Sequence, residues 1–573
     1  MSARRRFSCL ARALVEMALV CPVVAQNAAS AVQSTQKIQL LSQSPRKGVT
    51  FDEFVDSAIL QERRLTELMR NFKPVVETYI QQEKHDTDVQ TSPKNDDYFL
   101  SRLDLTGDAP ANREFENSEH SKLEKEKNLL EKKLLNGQKP FAPVGFAQAV
   151  FPDLNHFDRQ NYAFEFVRWE VLGEVRCVVM NVNPRENPAN RGFVGRIWVE
   201  DQDYNIVRFT GSYTSKAYSK RSFHFDSWRL NTLGIMWMPA YVYTEESDPH
   251  DPSSRGLWFR AQTRIWGYDL QQAGDHHENT KPLTDNPAGV DPNRHETSQD
   301  LSPRLTVGEA AYTPEDDVVE RLQVGGLMAP DGDVDRILET VVNNLMITNN
   351  LDLAGVRCRV LLTTPLESFV VGRTIMVSRG LLDVLPDEAV LAAVLAHELA
   401  HIVLHHSLGA ESTSKFDVPF SDLEIFTKLH FRFDDAKEAE ADKKGQELFS
   451  KSPYHDKAEN VAIFMQALEA RSAQLPNLVR ARFSNDFGSS HLLAMQAPAK
   501  SPKRLRLEKT DQIAALPLGT RIKVDPWSDR IEMQKSKLLP PASAAEKRPF
   551  EVSPFFPYLK RLEEQKKPSA GTP

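Results

Sequence analysis

His397, Glu398 and His401 lie in the run Leu391-Ala-Ala-Val-Leu-Ala-His-Glu-Leu-Ala-His-Ile-Val-Leu-His405 and form the pattern H-E-x-x-H. Positions four apart share one face of a helix, so His397 and His401 can point two imidazoles at one metal ion with Glu398 beside them. Val390, Leu391, Val394, Leu395, Leu399, Ile402 and Val403 recur at three- and four-residue spacing, which predicts that helix. Asp387, after Pro386, stands where its N-cap belongs. Two histidines on an apolar helix are more often hydrogen-bonded core residues than ligands, and a chain this long shows the pattern by chance on the order of once in a hundred. Zinc needs a third protein ligand. Downstream, Ala436-Lys-Glu-Ala-Glu-Ala-Asp-Lys-Lys-Gly445 is acidic, Ala-rich and helical in spacing, and places Glu438 and Asp442 four apart. Alone, such a run reads as a solvated charged face.

The two segments together resemble the gluzincin metallopeptidases of the heat-shock protease HtpX and the CAAX prenyl endopeptidase, whose signature is H-E-x-x-H followed by E-x-x-A-D. The resemblance implies zinc, one ion per chain, held by His397, His401 and Glu438, with Asp442 behind them and Glu440 not a ligand. Glu367-Ser-Phe-Val-Val-Gly-Arg-Thr-Ile-Met-Val-Ser-Arg-Gly-Leu-Leu382 resembles the family's N-A-F-x-x-P-G-G-x-I-x-V-x-x-G-L-L strand. It departs at Glu367 (Asn in the family), at the missing Pro and at Arg373 (Gly). Thr374–Ser378 is expected as the edge strand along the cleft, the alternative being a strand buried and paired on both sides. The resemblance spans roughly Pro314 to Leu507.

Three protein ligands leave a fourth position for water, whose pKa such a metal lowers from near 16 towards ~7. Glu398 is expected as the general base and Asp442 as the carboxylate orienting an imidazole N–H. The family's oxyanion donor lies in an S-T-H-P segment followed by Arg. Ser489-Ser490-His491-Leu492 resembles it, with Leu492 in place of Pro. That implies a catalytic role for His491; a structural or exposed histidine is the other reading. Arg504 is the candidate arginine only across an insertion.

The elements positioning these residues sit in a chain of 573 residues, 40% hydrophobic and 26% charged, enough for two or three domains. Residues 1–25 read as a secretory signal: Arg4, Arg5, Arg6 and Arg12, an apolar run, then Val23-Val24-Ala25. Glu16 interrupts the run, and a disordered basic N-terminus is the alternative. Lipidation at Cys21 is disfavoured because Ala18-Leu19-Val20 lacks the usual small residue just before the Cys. Removing this segment, with four Arg and one Glu, takes the formal charge from −8 to −11, which argues against nucleic-acid binding. An exported, periplasmic location is expected, with unfolded polypeptides as partners and no transmembrane span in the mature chain.

Residues 26–150 are expected as a helical region. Phe54, Ile59, Leu65, Leu68, Met69 and Phe72 keep helical spacing within Phe51 to Gln82, Pro74 interrupts, Glu83 to Asp97 is polar, and Ser118 to Leu135 is a charged helix. Residues 151–270 read as an antiparallel β module, with a hairpin from Gly195 to Phe209 turning at Asp201 to Asp203. This module resembles outer-membrane lipoprotein carriers. Its aromatics are expected to fill a core rather than line a lipid- or peptide-holding cavity. Residues 271–313 form a linker, 314–510 the peptidase domain, and 511–573 a strand and a Pro- and Lys-rich tail that straps onto the body or stays disordered. Cys177 and Cys358 lie in apolar runs and are expected as buried thiols.

The fold class expected is α+β and multidomain: an antiparallel, half-barrel-like β module followed by a mainly α-helical zincin domain with a short sheet. The function expected is a zinc metalloendopeptidase in envelope protein quality control. The competing reading is a non-proteolytic carrier or chaperone that uses the β module, and an intact Glu398 argues against it.

Overall fold

The computed structural model describes residues 49–84, 92–105, 111–114, 146, 148–185, 192–213, 222–232, 236–247, 257–268, 314–406, 430–483, 504–506, 512, 514–519, 521–533 and 549–562. The signal, the Ser118–Leu135 helix, the linker and His491 lie outside these residues.

The fold is α+β. Helix α1 (Phe51–Met69) opens it, held by a capping box in which Glu53 N donates to Thr50 Oγ1 and Thr50 N to Glu53 Oε2. Strands β1 (Val75–Lys84), β2 (Ser92–Asp104), β3 (Ala111–Glu114), β4 (Tyr162–Leu172), β5 (Val175–Pro184), β6 (Phe193–Glu200), β7 (Ile206–Tyr213), β8 (Ser222–Thr232), β9 (Met236–Ser247) and β10 (Leu257–Trp266) follow. They form one ten-stranded antiparallel sheet, ordered β3-β2-β1-β10-β9-β8-β7-β6-β5-β4, which does not close into a barrel among the described residues. The hairpin turn lies at 201–203, as its Asp-rich sequence predicts.

Two expectations for the N-terminal region are corrected. Helix α1 stops at Met69, and Val75–Lys84 is a strand; the described parts of the polar stretch, 83–84 and 92–97, belong to β1 and β2. The polarity misleads because many of these side chains are buried and satisfied from distant segments. Glu77 takes hydrogen bonds from Thr364 N (2.5 Å), Thr364 Oγ1 (2.7 Å) and Arg379 Nη2 (2.7 Å). Asp96 takes them from Asn477 N and Leu478 N, and Gln81 bridges Phe550 O and Val552 N.

Both faces of the large sheet are covered, and strand period 2 sorts its side chains between them. From β5, Val178, Met180 and Val182 pack with Phe54, Val55 and Ile59 of α1. Cys177 and Val179 face a second core shared with the C-terminal half of the chain. In the first core Arg229 makes a two-pronged ion pair with Glu62 at 2.6 and 2.7 Å, both groups 1% exposed. Losing one partner of such a pair strands a buried charge. Trp228, Trp237 and Trp266 are buried, so these aromatics fill a core. Cys177 and Cys358 are buried and unbridged.

Of the two readings of the tail, strapping onto the body holds for the described residues 549–562. Phe555 packs edge-on to Tyr241, Leu559 O accepts from Glu174 N, and Arg561 pairs with Glu200. It crosses the sheet at Gly173 (φ +66°), where a Cβ would sit 2.3 Å from Leu559 O, so the crossing requires glycine.

The C-terminal half contains α2 (Pro314–Val324), α3 (Asp333–Thr348), β11 (Arg357–Leu361), β12 (Ser368–Val371), β13 (Thr374–Ser378), α4 (Arg379–Val384) and α5 (Glu388–Val403). Then come α6 (Asp435–Ser450), α7 (Ala458–Ser472), α8 (Pro476–Val479) and the hairpin β14 (Ile522–Val524) and β15 (Ile531–Met533). No helix among the described residues is long and apolar enough to cross a membrane.

The edge-strand expectation is corrected as well. Thr374–Ser378 is the central strand of the order β11-β13-β12, parallel to β11 and antiparallel to β12, and buried throughout. An all-apolar interior is what a strand covered on both faces carries. The edge beside α5 is Ser368–Val371 instead. Met376 pairs with Arg359 on one side and Phe369 on the other, so Met376→Pro should abolish the cooperative unfolding transition in a circular-dichroism melt. A variant melting like the parent would contradict the central placement.

Candidate metal centre

Asp387 caps α5, its Oδ1 accepting from Ala389 N at 3.0 Å and Val390 N at 3.1 Å. Every residue from Ala389 to Ile402 is buried, which is why the helix is apolar nearly all round. Three ionisable groups interrupt it: His397, Glu398 and His401 are 3%, 3% and 1% exposed. Buried charge needs partners, and the carboxylates facing the two imidazoles come from α6.

Asp434 caps α6 at Lys437 N. The helix presents Glu438, Ala441, Asp442, Gly445, Leu448 and Phe449 as one buried stripe, correcting the solvated-face reading of this segment taken alone. A Cβ at Gly445 would lie 3.0 Å from His397 Cα and 3.1 Å from His397 N, so the helices meet backbone to backbone there. One turn and two turns earlier on that stripe, Asp442 and Glu438 reach the imidazoles.

Asp442 Oδ1 lies 3.0 Å from His397 Nδ1, and Glu438 Oε2 lies 3.3 Å from His397 Nε2. Glu438 Oε1 is 3.7 Å from His401 Nε2, and the two Nε2 atoms are 3.2 Å apart. Donors around a tetrahedral ion with bonds of about 2.0–2.1 Å stand about 3.3 Å apart. The three separations, 3.2 to 3.7 Å, lie close to that spacing, with Glu438 turning a different oxygen to each imidazole. Among the described residues His397, His401 and Glu438 form the group able to hold a metal. Glu440 is outside it, and Asp442 faces the far nitrogen of His397.

Burial lowers the tendency of His397 to hold a proton, but Asp442 and Glu438 outweigh it and hold the imidazole up at about 10. His401 is driven down to about 2 by burial and by His397 and His406 nearby. Burial pushes the Glu398 carboxyl up to about 7, against the lowering effects of His397 and Ser368.

Three residues that spacing gave no role complete the surroundings. Ser368 Oγ, on edge strand β12, donates to Glu398 Oε1 at 2.6 Å. Phe433 stacks on His401 with ring centroids 4.1 Å apart, and His406 stands against the back of the same ring. In the sequence Ser368 offers a small signal, standing at the alanine of the strand pattern quoted above. Glu367, at the position of the family's Asn, binds Arg482 N and Phe483 N through Oε2, each at 3.0 Å. Arg504 is exposed, its carbonyl bonded to Gln512.

The fold and these donors define a metallopeptidase-type centre in an α+β chain. Residues 330–417 match the model of Peptidase family M48, a segment that includes His397, Glu398 and His401 and ends before Glu438. No curated protein matches the chain. Two of the solved structures that match illustrate a weak similarity. One, a domain from Vibrio parahaemolyticus named for outer membrane lipoprotein sorting, is 12% identical, covers 36% of this chain and 89% of its own, and has a TM-score of 0.20. The other, a DUF1329 family protein from Desulfovibrio piger, is 10% identical, covers 38% and 93%, and has a TM-score of 0.18. At these scores neither likeness bears on function.

The contact at Gly445 yields a prediction. Gly445→Ala must push α6 off the backbone of His397, carrying Glu438 and Asp442 away, while alanine suits a helix interior better than glycine. The variant should stay helical and bind zinc at least about tenfold more weakly in chelator competition, the scale of disturbed metal surroundings. Parental affinity would show that helix spacing does not set the site.

Proposed function

We propose that the chain is an exported zinc-dependent endopeptidase hydrolysing peptide bonds of unfolded or mislocalised envelope proteins. The observation that carries the hydrolytic part is the convergence of His397, His401 and Glu438 at tetrahedral spacing beside an intact Glu398. Zinc suits two imidazoles and a carboxylate, and when bound supplies the Lewis acidity that makes a water nucleophilic near neutral pH. Glu398 takes the proton of that water and passes it to the leaving amine. Ser368 ties down Oε1, so the other carboxylate oxygen is the one presented for proton transfer. Asp442 keeps the proton of His397 on Nδ1, leaving Nε2 for the metal.

Strand addition by an extended substrate would use β12, the sheet edge among the described residues one hydrogen bond from Glu398, and because its four residues are buried it requires displacing what covers them. Backbone recognition of this kind tolerates many sequences and requires unfolded segments, since folded substrates have these groups paired already. His491 as oxyanion donor and export through residues 1–25 rest on the sequence resemblance and the signal pattern. The carrier reading loses support because α1 and the C-terminal half cover the two faces of the large sheet.

Glu398→Gln keeps shape and ligands while removing the base. It should retain parental zinc content and lose casein cleavage by several orders of magnitude. Equal cleavage by variant and parent would remove Glu398 from the mechanism.

A further inference from the structure

The end of α5 is unusual in where it sends the chain. His405 N donates to Ile402 O at 3.1 Å and His406 N to His401 O at 3.0 Å, the paired bonds of a Schellman turn. The residue at its left-handed position is His405 (φ +53°), where glycine is the ordinary occupant. The turn folds His406 back onto the helix it has just left. His406 Nδ1 lies 3.0 Å from His401 Nδ1, and His406 Nε2 lies 3.3 Å from Glu440 Oε2 on α6.

We propose that His406 and Glu440 form a hydrogen-bond relay that fixes the tautomer and orientation of His401 as a metal ligand. This rests on the metal reading above. The polarity follows from the geometry. His401 Nε2 faces His397 and Glu438, so its lone pair is the one available to a metal and its proton sits on Nδ1. Nδ1–H can donate only to a bare nitrogen, so His406 accepts at Nδ1 and carries its own proton on Nε2. That proton points to the Glu440 carboxylate. The reverse polarity would place a proton on His401 Nε2, where the metal must go. Each imidazole is then held from behind: His397 by Asp442 at 3.0 Å, His401 by His406 backed by Glu440. Phe433, stacked on the ring face, limits tilting out of that line. His406 and Glu440 are positioning residues, since they reach the centre through His401.

The test is zinc affinity of the full chain in competition with a fluorescent chelator, which needs no substrate. His406→Phe keeps a ring beside Phe433 but cannot accept the bond, and should bind zinc about 10- to 100-fold more weakly. His406→Asn can place Oδ1 near the lost Nδ1, accept from His401, and restore affinity to within a few-fold of parent. Glu440→Ala should lose only a few-fold. If His406→Phe does not fold, judged by the melt of the metal-free protein, His406→Ala takes its place with the same expected loss. Parental affinity in the folded Phe or Ala variant overturns the relay, and so does an Asn variant as weak as Phe, which would make ring packing the cause. A parent that binds no zinc overturns the metal centre itself together with the relay.

Discussion

Everything at the centre depends on placing two imidazoles and three carboxylates, Glu398, Glu438 and Asp442, inside a protein core. An unpaired buried charge costs several kcal/mol, so these groups are tolerable only if they satisfy one another or a metal. The solution is backbone contact between α5 and α6. Gly445 removes the last side chain between them, and Asp442 and Glu438 then meet His397 from both sides of its ring. Asp442 and Glu438 favour a proton on His397, while burial beside that ring disfavours one on His401, so the same crowding acts on the two imidazoles in opposite senses.

The large sheet is tied to this centre through buried polar groups as well as apolar contact. Glu77 of β1 binds Thr364 and Arg379, and Arg379 also reaches Asp383 at 3.2 Å. Thr364 and Arg379 bracket β12 and β13 in sequence, so the sheet carrying Ser368 is anchored to the β module. The strap reinforces the joint, with Glu551 pairing with Arg260 of β10 at 2.8 Å. The two halves of the chain therefore share a core and an ion-pair network.

The site was legible in the sequence because helical spacing is local. His397, Glu398 and His401 need only the 3.6-residue period; Glu438 and Asp442 repeat it, but their roles came from the resemblance to the family signature, since that run alone reads as a solvated face. What escaped depends on contacts between distant segments or on unusual backbone. Ser368 lies 30 residues from its partner Glu398. His406 reaches His401 only because His405 adopts a conformation that glycine would have signalled. Strands β1 and β2 were hidden because Glu77, Gln81 and Asp96 look solvent-facing, their partners lying hundreds of residues downstream. The apolar run Thr374–Ser378 suits a central strand as readily as an edge, and its pairing on both sides decides the matter.

The most direct measurement is zinc content and X-ray absorption at the zinc edge on the purified full chain. One equivalent of zinc surrounded by nitrogen and oxygen at about 2.0–2.1 Å, with a two-imidazole signature lost on replacing His397 and His401, is the predicted result. Zinc well below one equivalent, a shell containing sulfur, or full retention after both histidines are replaced would contradict the His397, His401 and Glu438 centre.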